Sequence, residues 1–378
     1  MTDERRARMG LMAANDAGDL GLVKLVREEG AQQVWEYLRS GHGKTAIARR
    51  AAGVDLSALA RRTDEVGARF LIPGDEQWPG KVEDLAWSEP VGGVGGEPLG
   101  LWVAGPVDLS VLVAPVAVIG SRASTAYGEH VAADWGVGIA EKGHAVVSGG
   151  AYGIDACAHR GAIAAGGTTV AVMAGGLAQF YPPGNSALLE KVRKTGGVVS
   201  EYPPDHPPSR SRFLVRNRLI AALSSATVIV EGAVRSGAQN TVNWALSLQR
   251  PVLAAPGPVT SAMSATPHRL IRAGEAILVS SAEEVLAVVE PVDSAIPDYP
   301  REPGTLFDSL TEAQQKVYEA FPARRGVGVD ELSVLTGESV PSLLVCLARL
   351  VHTSLVSEDP PGIWKRRPLD YMMLNTAI

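Results

Sequence analysis

The chain has 378 residues, 46% of them hydrophobic and 20% charged, with a net charge of −6. That length suggests two or three domains, and the acidic balance argues against a protein that coats duplex DNA indiscriminately, while leaving room for a local basic groove. Two cysteines without a CxxC show no disulfide framework or zinc site, which fits a reducing cytoplasm; the charged start is followed by too short an apolar piece for a signal peptide, and no apolar run reaches the ~18 residues of a membrane span.

Residues 1–66 read as a helical N-terminal domain. Leu20 to Glu29, Ala31 to Leu38 and Leu56 to Val66 place apolar residues at three- and four-residue spacing. The GHGKT stretch from Gly41 to Thr45 invites a phosphate-loop reading. Such a loop needs a glycine where Leu38 stands and a strand in front, whereas VWEYLR is helical, so this is a loop between helices. A Pro/Gly-rich connector fills 67–106 and includes the short strand Leu101 to Val103.

From Val116 onward strands and helices alternate. Strands are expected at Val116 to Ile119, Ala145 to Val147, Thr168 to Ala174, Val198 to Tyr202, Thr227 to Glu231, Val252 to Ala255 and Ile277 to Val279. Helices are expected at Glu129 to Lys142, Asp155 to Ala165, Ser186 to Lys194, Phe213 to Ser224 and Asn240 to Leu248. The apolar runs are continuous rather than alternating, as strands buried on both faces require. The fold class is therefore α/β, a Rossmann-like doubly wound parallel sheet over 67–290. A linker follows at 291–304. Residues 305–368, with a helix capped by Thr311, a helix at Pro341 to His352 and a hairpin-like LVSEDPPGIWKRR, read as a winged helix, and 369–378 as a loosely held tail.

Strand ends in such a sheet gather along one edge, where open α/β folds bind ligands. Gly120, Gly149 and Gly150, Gly175 and Gly176, Gly232 and Gly257 all fall there. Helix N-termini at that edge suit phosphate. Ser121 and Arg122 follow Gly120 directly, and Ser148 precedes the second glycine pair; an arginine so placed can grip a phosphate with two bonds. The segment RSRFLVRNR supplies Arg210, Arg212, Phe213, Arg216 and Asn217. From His206 to Arg250 six arginines face one acid, Glu231, a basic patch in an acidic chain. Cations around a ring are what a single-strand groove needs, although Phe213 could equally anchor a core, and Arg216 and Arg218 could pair with Glu201 and Glu231.

Other chemistries find little support. No GxGxxG follows a strand, which argues against NAD. Asp155 and His159 share a helix start, but further metal ligands are missing, and Asp155 reads as an N-cap. No nucleophile–base set emerges, so neither an enzyme nor a cofactor is expected.

The stretches VAVIGSRASTAYG, VVSGGAYGIDACAHRGA, TVAVMAGGLAQFYPPGN, VVSEYPP, RFLVRNRLIAALS, VIVEGAVRSGAQNT and VLAAPGPVTSAMS occur in the order found in the DprA/Smf family of bacterial DNA-processing proteins, which the chain resembles from Val116 to about Val279. Their style is similar to actinobacterial members. The resemblance implies a protein that binds single-stranded DNA, dimerises and helps load the RecA recombinase in natural transformation. It also implies that the Arg122 loop, the Ser148-Gly149-Gly150 turn and the Arg210 to Arg218 helix line the DNA pocket. Tyr152 stands where many members carry arginine, and Thr266 replaces a usual glycine. The expected recognition helix, Pro341 to His352, carries one arginine, Arg349, amid apolar residues, which suits a core or a partner better than a major groove. Two rival readings remain. One is a phosphoribohydrolase of the lysine-decarboxylase-like group with Glu231 as the catalytic acid; its usual PGGxGT loop is here EGAVRSGAQNT. In the other, the central domain is a scaffold for partner-binding terminal domains.

Overall fold

A computed structural model describes residues 2–40, 45–234, 236–290, 310–323 and 325–367. Most of the GHGKT loop, the 291–304 linker, Arg235 and the tail lie outside the described residues. The chain divides into two compact units, Met1–Pro297 and Asp298–Ile378.

The first unit begins with helices α1 (Asp3–Ala14), α2 (Leu20–Glu29), α3 (Ala31–Arg39), α4 (Ala46–Ala52) and α5 (Leu56–Glu65). Strands β1 (Ala68–Leu71) and β2 (Leu101–Ala104) follow. The alternating region contains β3 (Val116–Ile119), α6 (Ala126–Glu141), β4 (Val146–Ser148), α7 (Ile154–Ala164), β5 (Thr169–Met173), α8 (Ser186–Thr195) and β6 (Gly197–Ser200). It continues with α9 (Arg210–Leu223), β7 (Ala226–Ile229), α10 (Ala238–Ser247), β8 (Val252–Ala254), α11 (Ala265–Arg272), β9 (Ile277–Leu278) and α12 (Ala282–Val289). Sequence periodicity did not single out α1, α4, α11 or α12.

Among the described residues one sheet has the order β1-β2-β6-β5-β4-β3-β7-β8-β9. The run from β6 to β9 is parallel, with Val116 to Ile119 of β3 in register with Ala226 to Ile229 of β7. The connector adds an antiparallel edge, β2 on β6 and β1 on β2, so the sheet is mixed rather than wholly parallel. Strand order reverses at β3: later strands go to one side through β4, β5 and β6, then to the other through β7. The carboxyl ends of β3 and β7 therefore flank the crevice where such folds hold ligands.

Helices cover both faces, which explains the unbroken apolar runs. One face packs on α6, α7 and α12 through residues such as Trp135, Ile139 and Val285. The other packs on α9 and α10 through Leu219, Val242 and Trp244. The N-terminal helices share a third cluster with the sheet: Leu11, Trp35 and Leu38 lie in one core with Trp102, Leu189 and Val198. The Trp102 indole donates to Thr63 Oγ1 at 3.0 Å, closing this joint with a satisfied buried polar pair.

The second unit contains α13 (Glu312–Glu319), β10 (Val327–Gly328), α14 (Val329–Thr336), α15 (Val340–His352), β11 (Val356–Glu358) and β12 (Ile363–Arg366). Thr311 and Gln314 form a capping box on α13, so the Thr311 start is where sequence places it. Its three strands pair in the order β10-β12-β11. Leu343, Leu347 and Leu350 of α15 are buried in its core, while Leu344 and Val345 are exposed.

Candidate nucleic-acid interface

The crevice is built by loops after β3, β4, β5 and β7. After β3, Ser121 N–H donates to the Glu231 carbonyl at 2.8 Å, tying the loop to the end of β7. The buried Ser121 hydroxyl accepts from Ala123 N–H at 3.1 Å, which bends the loop and leaves Arg122 exposed at its tip. Gly120 has to be small because a Cβ there would press on Ile154 and the Glu231 carbonyl, 2.5 and 2.9 Å away.

The Glu231 carboxylate is buried and accepts from Thr125 N–H at 2.9 Å and Thr125 Oγ1 at 2.6 Å. A carboxylate at the first turn of α6 satisfies an orphan donor and complements the helix dipole. Both oxygens of the acid named in the phosphoribohydrolase reading are engaged by Thr125, and Glu231 braces the start of α6. Glu231 is not a partner of Arg216 or Arg218.

The turn after β4 also has an internal role. Ser148 is buried and donates to the Val118 carbonyl at 2.7 Å. The Asp155 carboxylate accepts Gly149 N–H at 3.2 Å and Ala151 N–H at 3.3 Å. Two amides of the turn expected to hold phosphate thus already hold a carboxylate. Asp155 lies inside α7, whose N-cap is Gly153, so it braces the turn rather than capping the helix. Burial raises the Asp155 carboxyl above its ordinary range, against the pull of Arg216. Gly149 is small because the Arg216 guanidinium occupies the space of a Cβ. Gly150 takes a left-handed φ of 69°, which turns the chain toward Tyr152.

Most of the basic patch is consumed internally. Arg216 is buried, donates to the Gly149 carbonyl at 2.8 Å and to that of Val172, and burial lowers its pKa to about 10. Arg212 forms an ion pair with Asp16 at 2.7 Å, donates to the Pro207 carbonyl at 2.7 Å and lies 4.8 Å over the Tyr202 ring. Arg218 is wholly buried against Glu201, as one sequence alternative held. Arg250 donates to the last carbonyls of α9, Ala221 and Ser224, and to Asp84. Asn217 is buried and donates to Asn240 Oδ1 at 3.2 Å. Arg210 is exposed at the start of α9.

The groups that do meet at the crevice are Arg122, Phe213 and Tyr181. The Arg122 guanidinium lies 4.9 Å over the half-buried Phe213 ring, with Arg216 at 5.8 Å and the Tyr181 ring tilted at 5.6 Å. Phe213 therefore holds an exposed cation in place by a cation–π contact. Tyr181 and Asn185 escaped sequence reasoning, although both stand in QFYPPGN. Asn185 is buried and donates to the Gly150 and Ala151 carbonyls at 3.0 Å each, clamping the turn after β4 to the loop after β5. Asn185→Ala leaves both carbonyls without that donor and should cost about 1–3 kcal/mol, read from urea unfolding.

Beneath the crevice His159 is buried with Nδ1 on Thr169 Oγ1 at 2.7 Å, and burial first, then Arg216, lowers its pKa to about 3. A histidine depressed in the fold stabilises above its unfolded value and loses that stability as pH falls. Between pH 7 and 5 the loss should be about 2 kcal/mol, and His159→Asn, whose amide can replace the Nδ1 donor, should flatten the pH dependence of urea unfolding.

The fold and the crevice define an α/β binding domain whose ligand site lies at a topological switch point. The family model of DNA recombination-mediator protein A matches residues 69–290. A Mycobacterium tuberculosis DprA homologue is 44% identical over 91% of this chain and 90% of its own length. Escherichia coli Smf is 35% identical over 67% of this chain and 68% of its own. In structure the chain is similar to Streptococcus pneumoniae DNA processing protein A, with a TM-score of 0.64 and 29% identity over 77% of this chain and 99% of that one. It is also similar to the Helicobacter pylori DNA processing protein A, whose single-stranded DNA binding mode has been examined structurally, with a TM-score of 0.51 and 26% identity over 58% and 94%. The chain belongs to the DprA/Smf family of recombination mediators in DNA processing.

Proposed function

We propose that the crevice binds single-stranded DNA, with Arg122 gripping a phosphate, Arg210 extending the cationic path, and the aromatic groups beside Phe213 meeting bases. The observation that carries this reading is the exposed Arg122 guanidinium held over Phe213 at the mouth of the switch-point crevice. Ser121, Gly149 and Gly150 shape that mouth, and Ser148, Arg216 and Asn217 support it from beneath. Single-stranded DNA binding by the Helicobacter pylori relative supports the same ligand. Arg212 serves by fixing α9 rather than by meeting phosphate.

The wider role that fits this family is to pass the strand to RecA in the cytoplasm during natural transformation, as a homodimer and without catalysis. The unit with α13, α14 and α15 acts as a winged helix that meets protein rather than duplex, since α15 is largely apolar. Among the described residues no single helix is long and apolar enough to cross a membrane. An electrophoretic shift series tests the core of the proposal. A labelled single strand should bind in preference to its duplex, and binding should weaken steeply with salt. Equal binding of the two would overturn it.

A further inference from the structure

The loop after β5 turns sharply between Tyr181 and Gly184, and a tyrosine stands at each side of that turn. Tyr152, from the turn after β4, accepts Gly184 N–H on its hydroxyl at 3.2 Å. The approach is close: a Cβ on Gly184 would lie 2.7 Å from that hydroxyl and would push the Tyr152 ring aside. Asn185 fixes the same two segments through the Gly150 and Ala151 carbonyls. The Tyr152 ring is thus anchored at its far end, yet it keeps 47% of its surface in solvent, and Tyr181 keeps 43%. Single exposed aromatic residues need no explanation. Two of them, on two segments that Asn185 clamps together, with Tyr181 against the Phe213 ring that carries Arg122, form a step of rings beside a cation.

We infer that Tyr152 and Tyr181 are the base-stacking residues of the site, and that Tyr152 extends the path by one nucleobase beyond the phosphate held at Arg122. This rests on the single-strand reading above. The neighbours already gathered around Phe213 leave it the task of holding Arg122, so stacking falls to the two tyrosines. Every base has a face to stack, so the contact tolerates any sequence and adds affinity without adding charge.

The test uses the full chain, a labelled oligothymidylate and an abasic strand of equal length. Tyr152→Ala should weaken oligothymidylate binding about fivefold to a hundredfold at fixed salt. The slope of affinity against salt should be unchanged, and so should binding to the abasic strand. Tyr152→Phe, which keeps the ring and loses the Gly184 bond, should retain most of the affinity. Tyr152→Arg should replace the base-dependent contact with a charge, steepening the salt slope by about 0.7. Equal losses on the two strands, or Tyr152→Phe as weak as Tyr152→Ala, would mean that the residue only shapes the loop. Wild-type affinity for Tyr152→Ala, in a protein whose Arg122→Ala variant binds more weakly, would overturn this inference and leave the single-strand reading standing. Failure of the wild type itself to prefer single strands would remove both.

Discussion

Arg122→Ala should lower affinity for a single strand about tenfold to a hundredfold and reduce the slope of log affinity against log salt by about 0.7. The first figure follows from losing a charge-assisted contact of about 1.5–3 kcal/mol, the second from one fewer counterion released from a single strand. The effect is large because so few other cations are free to compensate. Arg212 is committed to Asp16, and Arg216 to the Gly149 carbonyl. Arg122→Lys should recover charge but only part of the affinity, since a point charge cannot form a two-pronged bond and stacks less well on Phe213. Fold stability should hardly change, because Arg122 is exposed. Anisotropy titrations at several salt concentrations would check both figures, and an unaltered slope would move the phosphate contact elsewhere.

The second large effect concerns stability. Arg218 has no exposed surface and donates to Glu201 Oε1 at 2.7 Å as well as to the second carboxylate oxygen. Removing one partner of a buried pair strands the other charge in a medium that cannot solvate it. Glu201→Ala should therefore cost about 3–5 kcal/mol and lower the melting temperature by on the order of 10 °C. Replacing both partners, Arg218→Met with Glu201→Leu, should restore most of the loss, because neither variant charge is then buried. Calorimetry of the two variants would separate the pair's net worth from the penalty of breaking it. A Glu201→Ala protein that melts with the wild type would contradict this account.

The sheet was legible because strands covered on both faces announce themselves as short unbroken apolar runs, and because glycine marks their ends. The antiparallel edge was harder to see, since β1 and β2 lie in a connector rich in turn residues. The site was legible in its position and less so in its parts. A sequence shows where an arginine is, but not which group neutralises it. Asp16 lies far from Arg212 in the chain, and the carbonyls held by Arg216 and Arg250 belong to other segments. The same distance hid the role of Glu231, which holds Thr125, whereas Asp155 was missed close at hand, because the N-cap pattern does not show a carboxylate reaching back to the Gly149 and Ala151 amides. Tyr181 and Asn185 were overlooked because a proline-rich turn has no periodicity from which to assign a face.

Helix α9 buries its residues from Val215 to Leu223, while Leu214, just past its first turn, is exposed between Phe213 and that buried run. This makes position 214 a natural place for a reporter. Of the chain's two native thiols, Cys157 is buried and Cys346 is partly accessible. A Cys346→Ser, Leu214→Cys protein would take a single environment-sensitive dye one residue from the Arg122–Phe213 contact. Its emission would follow occupancy of the crevice in real time, without a label on the ligand.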